Sequence, residues 1–281
     1  MTEDRTSPRT VDLESLEIDL LTEAIFQAYG FDFRRYSRAS LRRRLRRRME
    51  VEGVATISAL QDRVLHDRAC MSRLFADLSV HVSSMFRDPG FYQAFREKVV
   101  PLLRTYPFVR IWNAGCAGGE ETYSLAILLR ETGLYERARI YATDLNPAVL
   151  EQARAGAFPI AKMQEYTSNY IQAGGTRSFS EYYSAHSGRV VFQRSLADNV
   201  VFAEHNLVTD RSFNEFHVIV CRNVMIYFDR ALQDRVHDLF YGSLITFGVL
   251  GLGSKESLAS TDYGSRYEQL DVTQRLYRKV R

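Results

Sequence analysis

The second half of the chain alternates between short apolar stretches and helix-like stretches. "FVRIWNAG" is an apolar run, and the apolar residues of "EETYSLAILLRETG" after it have helical spacing. "ARIYATD" with "NPAVLEQARAG" repeats this order, and "FHVIVCRNV" with "DRALQDRVHDLFYGSL" follows later. Strands and helices that alternate in this way pack as an open, mostly parallel sheet with helices on both faces. The pattern therefore predicts a doubly wound α/β domain.

Two parts of the chain depart from this alternation. Residues 1–85 have helical spacing without a strong strand pattern, as in "DLESLEIDLLTEAIFQAYG", which stops at Gly30. We expect a small all-helical domain there and the α/β domain over residues 86–281. Residues 157–204 mix aromatic residues, glycines and short β-like runs such as "GRVVFQRSL". They indicate an inserted β-subdomain.

Composition argues against several classes of protein. The apolar fraction of 46% and the charged fraction of 25% are ordinary for a globular protein. No apolar run is long enough to span a membrane, and the N-terminus lacks the basic-then-apolar pattern of an export signal. Cys70, Cys116 and Cys221 lie far apart and form no CxxC pair, which argues against disulfides or a zinc site. We expect a cytoplasmic protein without a metal.

Positive charge is concentrated in one segment. The net charge is only +3, but "RRYSRASLRRRLRRR" between Arg34 and Arg48 contains nine arginines, so the remaining chain is net acidic. Leu41, Leu45 and Met49 recur there every four residues, which predicts a helix with a narrow apolar stripe and a wide cationic face. Such a face can bind nucleic-acid phosphates or an acidic protein surface.

The turn after the first apolar strand carries acid where a phosphate would normally bind. "NAGCAGGEE" places Gly115, Gly118 and Gly119 before a helix, and the N-terminus of a helix offers free N–H groups to anions. Glu120 and Glu121 stand at that position, so a pyrophosphate would meet like charge and a cationic ligand would be favoured. The two glutamates could also simply complement the helix dipole.

Two further loops at strand ends carry polar residues. Asp144 ends "ARIYATD", where an acid can accept hydrogen bonds from both hydroxyls of a ribose or can cap the next helix. Asn223 follows the apolar strand "HVIVC", and Tyr227 lies four residues later, where it can face the same cleft. A nucleoside that carries positive charge and no phosphate fits these loops better than NAD or ATP. S-adenosylmethionine is such a ligand.

Several stretches of the chain match motifs of one known family in the same order. "IWNAGCAGGEETYSLAI" resembles the motif W-S-A-[AG]-C-S-x-G-E-E-P-Y-S-x-A, and "ATDLNPAVLEQARAGAF" resembles a ribose-binding stretch. "HVSSMFRDPGFY", "EHNL" and "VIVCRNVMIYFD" resemble three further elements, and "YSRASLRRRLRRRM" resembles the start of a helical N-terminal domain. These stretches resemble the CheR family, methyltransferases that esterify glutamates on bacterial chemotaxis receptors. The resemblance runs from about Gly30 to the last strand. It implies a Rossmann-like S-adenosylmethionine-dependent methyltransferase domain with a small β-subdomain insertion, preceded by a small all-helical domain.

The resemblance also implies a set of site residues. Arg87 is expected to hold the substrate carboxylate, or else to form a salt bridge, and Tyr227 to be a second donor near the methyl group, or else a packing residue. His81 stands where the family usually has asparagine, Ser83 where it has threonine and Thr122 where it has proline. The cofactor-binding positions correspond here to His81, Ser83, Arg87, Gly115, Glu121, Asp144, Asn206, Leu207, Asn223 and Val224.

The implied reaction is methyl transfer from S-adenosylmethionine to receptor glutamates, with S-adenosylhomocysteine as the product. The substrate carboxylate is ionised at neutral pH, so no general base is required and alignment supplies the catalysis. Arg42, Arg43, Arg46 and Arg47 are expected to face the acidic helical bundle of the receptor, which is the enzyme's only link to the membrane. A nucleic-acid methyltransferase stays open as an alternative, although the motif [DNS]-P-P-[YFW] is absent. So does a cofactor-binding regulatory protein that has lost transfer activity.

Overall fold

The computed structural model describes residues 12–79, 83–186, 188–258 and 261–280. The chain forms two compact units that divide between Leu78 and Ser79. The predicted boundary near residue 85 therefore falls inside the second unit. Within the described ranges, no helix is both long and apolar enough to cross a membrane.

The first unit is built from helices, as its apolar spacing predicts. In its described part they are α1 (Leu13–Tyr29), α2 (Arg38–Glu52), α3 (Ile57–His66) and α4 (Arg68–Leu78). The Asp12 side chain caps the start of α1 by accepting a hydrogen bond from the backbone N–H of Ser15. Gly30 ends the helix with a φ of 79°, a left-handed conformation that glycine adopts without steric cost. Local sequence signals therefore determine where α1 starts and stops.

The arginines of α2 divide between the surface and the interior. The buried Arg44 donates to the carbonyl oxygens of Asp77 and Leu78, and the Nε of the buried Arg48 donates to the Asp77 carboxylate at 2.7 Å. Carbonyls at the C-terminus of α4 have no partner within their own helix, so arginine donors stabilise that end. Because Arg44 and Arg48 point inward, the cationic face of α2 is narrower than the sequence predicted.

The second unit alternates strands and helices. Its helices are α5 (Pro89–Ala94), α6 (Val100–Leu103), α7 (Glu120–Glu131), α8 (Pro147–Ala155), α9 (Met163–Gln172) and α10 (Arg230–Ser243), and a π-helical turn, Phe95–Val99, joins α5 to α6. Its strands are β1 (Val109–Ala114), β2 (Ala138–Asp144), β3 (Ala157–Pro159), β4 (Tyr183–His186), β5 (Arg189–Phe192), β6 (Val200–Glu204), β7 (Phe216–Cys221), β8 (Leu244–Leu252), β9 (Tyr267–Asp271) and β10 (Leu276–Lys279). The Asn146 side chain caps the start of α8, and Pro147 is the first residue of that helix.

The large sheet has seven strands in the order β6-β2-β1-β7-β8-β10-β9. The first five run parallel, and β10 and β9 are antiparallel to their neighbours. Helices α7, α8 and α10 pack against this sheet. The central strand β7 is buried along its whole length, as its continuous apolar sequence predicts for a parallel strand. The predicted α/β class is confirmed, and the antiparallel strand β9 forms an edge of the sheet that was not predicted.

A separate antiparallel sheet in the order β3-β5-β4 lies in the predicted insertion. The predicted segment 157–204 also contains β6, but β6 belongs to the large sheet, where it pairs with β2. The last strand of the small sheet, β5, ends at Phe192. The apolar run "VVF" of β6 suited a strand of either sheet, and only long-range pairing assigned it to the large one.

Candidate active site

A pocket lies at the carboxyl ends of β1 and β7, two neighbouring parallel strands of the large sheet. Ligands of doubly wound sheets bind at this edge, beyond the ends of the strands. The pocket brings together three separate segments of the chain. The lining residues are Ser83, Ser84, Arg87, Gly115, Cys116, Ala117, Glu121, Arg222, Asn223 and Val224.

The segments around the pocket share an unusual backbone conformation. Of the six residues other than glycine with positive φ angles in the described ranges, four lie in these segments: Phe86 (50°), Asp88 (55°), Ala117 (48°) and Asn223 (62°). Residues with a Cβ rarely adopt this region, because Cβ then crowds a neighbouring carbonyl. Strained backbone of this kind clusters at functional sites. The geometry therefore points to this pocket as the functional site of the second unit.

The glycine turn allows a close approach of two other elements. Gly115 has a φ of 74°, and a Cβ there would lie 2.5 Å from Cγ2 of Val224. A Cβ on Gly119, which has a φ of 94°, would lie 2.9 Å from Cβ of Ala153 in α8. A side chain at Gly115 would clash with the pocket residue Val224, and one at Gly119 would clash with α8, so both positions require glycine.

Two donors from different segments hold the carboxylate of Glu121. Arg222 donates from Nη1 to Oε1 at 2.7 Å, and Asn113 donates from Nδ2 to Oε2 at 2.9 Å. The hydroxyl of Thr122 donates to Oδ1 of Asn113 at 2.7 Å, which also fixes the orientation of the Asn113 amide. Helix α7 begins at Glu120 without the proline of the family motif. The side chain of Glu121 is therefore held in one orientation by the protein itself.

Arg222 joins this acid to the turn that carries Arg87. Its Nη2 donates to the backbone oxygen of Arg87 at 2.9 Å and to the Asp88 carboxylate at 2.8 Å. The guanidinium also lies 4.2 Å from the ring centroid of Phe91. Burial alone lowers the pKa of Arg222, but the negative charges of Glu121 and Asp88 outweigh it and raise that pKa. The residue stays charged in the interior.

Arg222 was not among the predicted site residues. A signal for it was present, because the residue directly follows the fully buried strand β7. A charge in that position needs partners, since an unpaired buried charge is strongly unfavourable. Glu256 was also not among the predicted site residues. Its carboxylate accepts hydrogen bonds from the backbone N–H groups of the pocket residues Asn223 and Val224.

Three other predicted residues lie at the same edge of the sheet but outside the described pocket lining. Asp144 ends β2 and accepts hydrogen bonds from the backbone N–H groups of Ala117 and Asn146 at 2.9 and 3.0 Å. Each carboxylate oxygen can accept more than one hydrogen bond, so two hydroxyls could still donate to Asp144. Asn206 and Leu207 follow β6, the strand next to β2. These residues extend the site toward the edge of the sheet.

The remaining predicted residues of this unit are placed less centrally or fall outside the described ranges. Tyr227 ends a short 3₁₀ helix, Met225–Tyr227, directly after the pocket residue Val224, but it is not part of the described lining. Ser83 lines the pocket. His81 lies outside the described residues.

The four arginines predicted to bind a partner line an open groove on the surface of α2. Arg42 and Arg46 both pair with Glu14, each at 2.9 Å. Arg43 and Arg47 are exposed, and neither has an ion pair in the part of the chain that the structure describes. The positive charges of Arg43 and Arg47 are therefore available to a binding partner.

Neither buried cysteine at the strand ends suits nucleophilic chemistry. Burial raises the pKa of the Cys116 and Cys221 thiols well above the ordinary value, so both stay protonated near neutral pH. Cys116 lines the pocket as a neutral wall. Both cysteines are packed residues at strand ends.

The doubly wound sheet, the acid-bearing glycine turn and the strand-end pocket define the class of methyltransferases that use S-adenosylmethionine. The pocket fits that cofactor, because the fixed carboxylate of Glu121 can accept a hydrogen bond from an ammonium group. Two family models match the chain: the all-alpha domain of CheR methyltransferases over residues 16–79, and their SAM-binding domain over residues 81–274. The chain belongs to the CheR methyltransferase family, and its cofactor is S-adenosylmethionine.

Individual relatives agree with this family. A Pseudomonas putida protein named Cher3, provisionally described as a methyltransferase, is 50% identical over 98% of this chain and 99% of its own length. The chemotaxis protein methyltransferase of Listeria innocua is 29% identical over 90% of this chain and 95% of its own. That of Escherichia coli K12 is 30% identical over 65% of this chain and 63% of its own.

Proposed function

We propose that this protein transfers a methyl group from S-adenosylmethionine to glutamate side chains of chemoreceptors, forming methyl esters in bacterial chemosensory adaptation. The observation that carries the proposal is one pocket lined by Glu121, Asn223 and Arg87, which come from three separate segments. An acid for a cationic cofactor and a cation for an anionic substrate are what this transfer requires. The names of the chemotaxis relatives support the receptor as the substrate.

We assign the cofactor contacts to the predicted set. Glu121 faces the ammonium group, Asp144 accepts from the ribose hydroxyls, and Asn223 and Val224 form the wall opposite Gly115. The support for this arrangement is the fixed orientation of Glu121, the remaining lone pairs on Asp144 and the contact between Val224 and the glycine turn. The full set is His81, Ser83, Arg87, Gly115, Glu121, Asp144, Asn206, Leu207, Asn223 and Val224.

The catalytic role of the chain is alignment. When bound, S-adenosylmethionine supplies an electrophilic methyl carbon on a positively charged sulfur. Arg87 holds the substrate carboxylate, because a guanidinium can donate to both of its oxygens. One of these oxygens forms the new bond to the methyl carbon as the carbon–sulfur bond breaks, and that electron pair stays on sulfur. No proton moves, since the carboxylate is already ionised near neutral pH. Tyr227 is a second donor toward the reacting groups.

The receptor contact is assigned to the groove on α2. Arg43 and Arg47 are exposed there and have no ion pair among the described residues, while Arg42 and Arg46 share Glu14. Cations arranged along one helix face complement an acidic helical bundle and accelerate encounter by electrostatic steering. The receptor would then be the protein's only link to the membrane, and the protein itself a cytoplasmic enzyme that binds no nucleic acid.

The test is methyl transfer from labelled S-adenosylmethionine to cytoplasmic fragments of chemoreceptors. We expect label on the fragment that mild alkali releases, because carboxyl esters hydrolyse where methylated amines do not. Fragments with glutamine in place of the modified glutamates are the matched control and should stay unlabelled.

Two results would overturn the proposal. Alkali-stable label on DNA or RNA would show a nucleic-acid methyltransferase that uses the arginine-rich helix. Tight binding of S-adenosylhomocysteine without transfer to any receptor fragment would show a regulatory protein that has lost activity.

A further inference from the structure

Four backbone N–H groups from two loops converge on one carboxylate behind the pocket. Oε1 of Glu256 accepts from Val224 at 3.0 Å and from Met225 at 2.9 Å. Its Oε2 accepts from Asn223 at 3.0 Å and from Gly253 at 2.7 Å. The two loops follow the neighbouring parallel strands β7 and β8. Glu256 therefore ties together two strand ends at the edge where the pocket lies.

The Glu256 carboxylate is held by backbone N–H groups and not by a positively charged side chain. The residue is 5% exposed, and no ion pair of Glu256 occurs in the described ranges. Burial raises the pKa of Glu256, and the amide donors of the two loops oppose that rise. All four neighbours are donors, so an O–H at this position would face N–H groups instead of an acceptor. Convergent amides of this kind form an anion-binding nest, filled here by the chain's own side chain.

The residue held by this nest has a left-handed backbone. Asn223 has a φ of 62°, a region that most residues with a Cβ avoid and that asparagine adopts more readily. Gly253 allows the close approach, because a Cβ there would lie 2.8 Å from the backbone nitrogen of Asn223 and 2.7 Å from Oε2 of Glu256. Val224, the next residue in the turn, packs onto Gly115. The same carboxylate thus controls both pocket residues of this turn.

We propose that Glu256 is a positioning residue of the methyltransferase site, which holds the turn from Asn223 to Met225 in the conformation that presents Asn223 and Val224 to the cofactor. The inference rests on the proposed cofactor role of these two residues. Glu256 does not line the pocket and acts only through the turn. Its loss should therefore weaken cofactor binding and leave the transfer step at saturating cofactor nearly unchanged.

The main test is Glu256→Gln. Glutamine keeps the shape of the side chain but turns an NH₂ group toward two backbone N–H donors. We expect the Kd for S-adenosylhomocysteine, measured by calorimetry, to rise about tenfold to a hundredfold. Hydrogen exchange at the amides of residues 223–225 should accelerate, and the rate at saturating cofactor should stay within about threefold of the wild type.

Glu131→Gln is the matched control. Glu131 is also a buried carboxylate with several donors, among them Tyr170 and Tyr182, but it lies outside the pocket lining. This variant should lose stability and keep the wild-type Kd within about twofold. An equal rise in Kd in both variants would mean that Glu256 acts only through general stability, and the proposal would be wrong.

Gly253→Ala tests the same turn without removing the carboxylate, and it serves if Glu256→Gln does not fold. Its new Cβ would separate Glu256 from Asn223, so the Kd should rise and exchange at 223–225 should accelerate. A wild-type Kd and unchanged exchange in either folded variant would overturn the positioning role. Failure of the wild-type protein itself to bind S-adenosylhomocysteine would instead refute the cofactor site.

Discussion

At the scale of single residues, buried charge is what organises the site. Arg222 reaches Glu121, the backbone of Arg87 and the Asp88 carboxylate from one planar guanidinium, with hydrogen bonds of 2.7 to 2.9 Å. The rigid fork of five N–H donors allows this geometry, which a single ammonium group does not reproduce. One side chain thus couples the acid proposed for the cofactor to the arginine proposed for the substrate.

Replacing Arg222 with lysine should disturb both Glu121 and the turn that carries Arg87. Lysine keeps the positive charge but presents one donor point, so the contacts with Glu121 and with the Arg87 turn would not form together. We expect kcat/KM to fall at least about a hundredfold, and calorimetry should show at least about tenfold weaker binding of S-adenosylhomocysteine. Arg130→Lys is the control, because Arg130 bonds to Ser195 outside the pocket lining. Wild-type binding and rate in Arg222→Lys would contradict this coupling.

Arg87→Ala tests the hold on the substrate carboxylate. Loss of a group that aligns the substrate with the reacting carbon can cost about a hundredfold in rate. We expect a fall of that size in the rate of transfer to receptor fragments at saturating S-adenosylmethionine, while the Kd for S-adenosylhomocysteine rises by less, about tenfold at most, because Arg87 is only one of ten assigned cofactor contacts. Arg87→Lys should recover part of the rate, because it restores the charge without the bidentate geometry. An unchanged transfer rate in Arg87→Ala would remove its assigned role.

His237 in α10 gives a pH dependence that does not involve the active site. The residue is 3% exposed, and burial lowers its pKa from 6.5 to about 4. Between pH 6.5 and pH 4 the unfolded chain binds a proton at His237 that the native protein excludes, so stability falls as the pH falls through this range. The contribution to the free energy of unfolding is about 3 kcal/mol at most. Denaturant titrations at pH 7, 5.5 and 4.5 should show a smaller loss for His237→Leu than for the wild type, and equal losses would contradict this.

At the scale of the secondary structure elements, α2 shows how one sequence run serves two purposes. Arg44 and Arg48 bond the C-terminal end of α4, whereas Arg43 and Arg47 face solvent. Helical spacing places Arg43 and Arg47 opposite the apolar stripe of α2 and the other arginines of "RRRLRRR" at its margins. The sequence does not distinguish between the arginines at these margins. Which of them is buried is decided by the rotation of α2 against α4.

The exposed pair should control affinity for the receptor and not the chemical step. Arg43→Glu and Arg47→Glu, made singly, should raise KM for a receptor fragment about threefold to thirtyfold at low salt, with an unchanged kcat. The effect should shrink as salt is added, because exposed charges are screened. Arg68→Glu is the control, since Arg68 is exposed in the same unit but lies on α4. A KM equal to that of the wild type in both variants would exclude this face as the docking surface.

At the scale of the whole molecule, one buried carboxylate anchors the segment that leads into the small sheet. The side chain of Glu131 in α7 has no exposed surface, and it accepts hydrogen bonds from Tyr170 at 2.5 Å, from Tyr182 at 2.9 Å and from the backbone of Thr176 at 3.2 Å. It also pairs with Arg96. Burial raises the pKa of Glu131, but these donors outweigh it and the pKa lies below the ordinary value of 4.5.

Glu131→Gln should therefore destabilise the protein. The change leaves Arg96 without its anion and turns a donor toward the two tyrosine hydroxyls, at a cost of about 2–4 kcal/mol in the free energy of unfolding. Urea denaturation measures the loss, and limited proteolysis should cut residues 157–192 earlier than in the wild type. Glu151→Gln is the matched control, because Glu151 is 73% exposed in its ion pair with Arg154. Equal stability of the two variants would show that Glu131 is not an anchor.

The architecture was predictable because its signals are local. Apolar periodicity separated helices from strands, and Gly30 marked the end of α1 where the structure shows it. The parallel sheet also follows from local patterns, because strands that alternate with helices pair in parallel. Polar residues after these strands then gather at one edge, which is why Glu121 and Asn223 were predicted to share a cleft.

What the sequence by itself determined is the order of the elements, the α/β class and the strand-end location of the site, since each depends on residues within one turn or one strand. Only the tertiary structure decided which charges act together. Arg222 bonds Glu121 across 101 residues of chain and Asp88 across 134, and Glu256 reaches Asn223 across 33. These partners meet because the packed sheet brings its strand ends together, and no local pattern encodes a pairing over such distances.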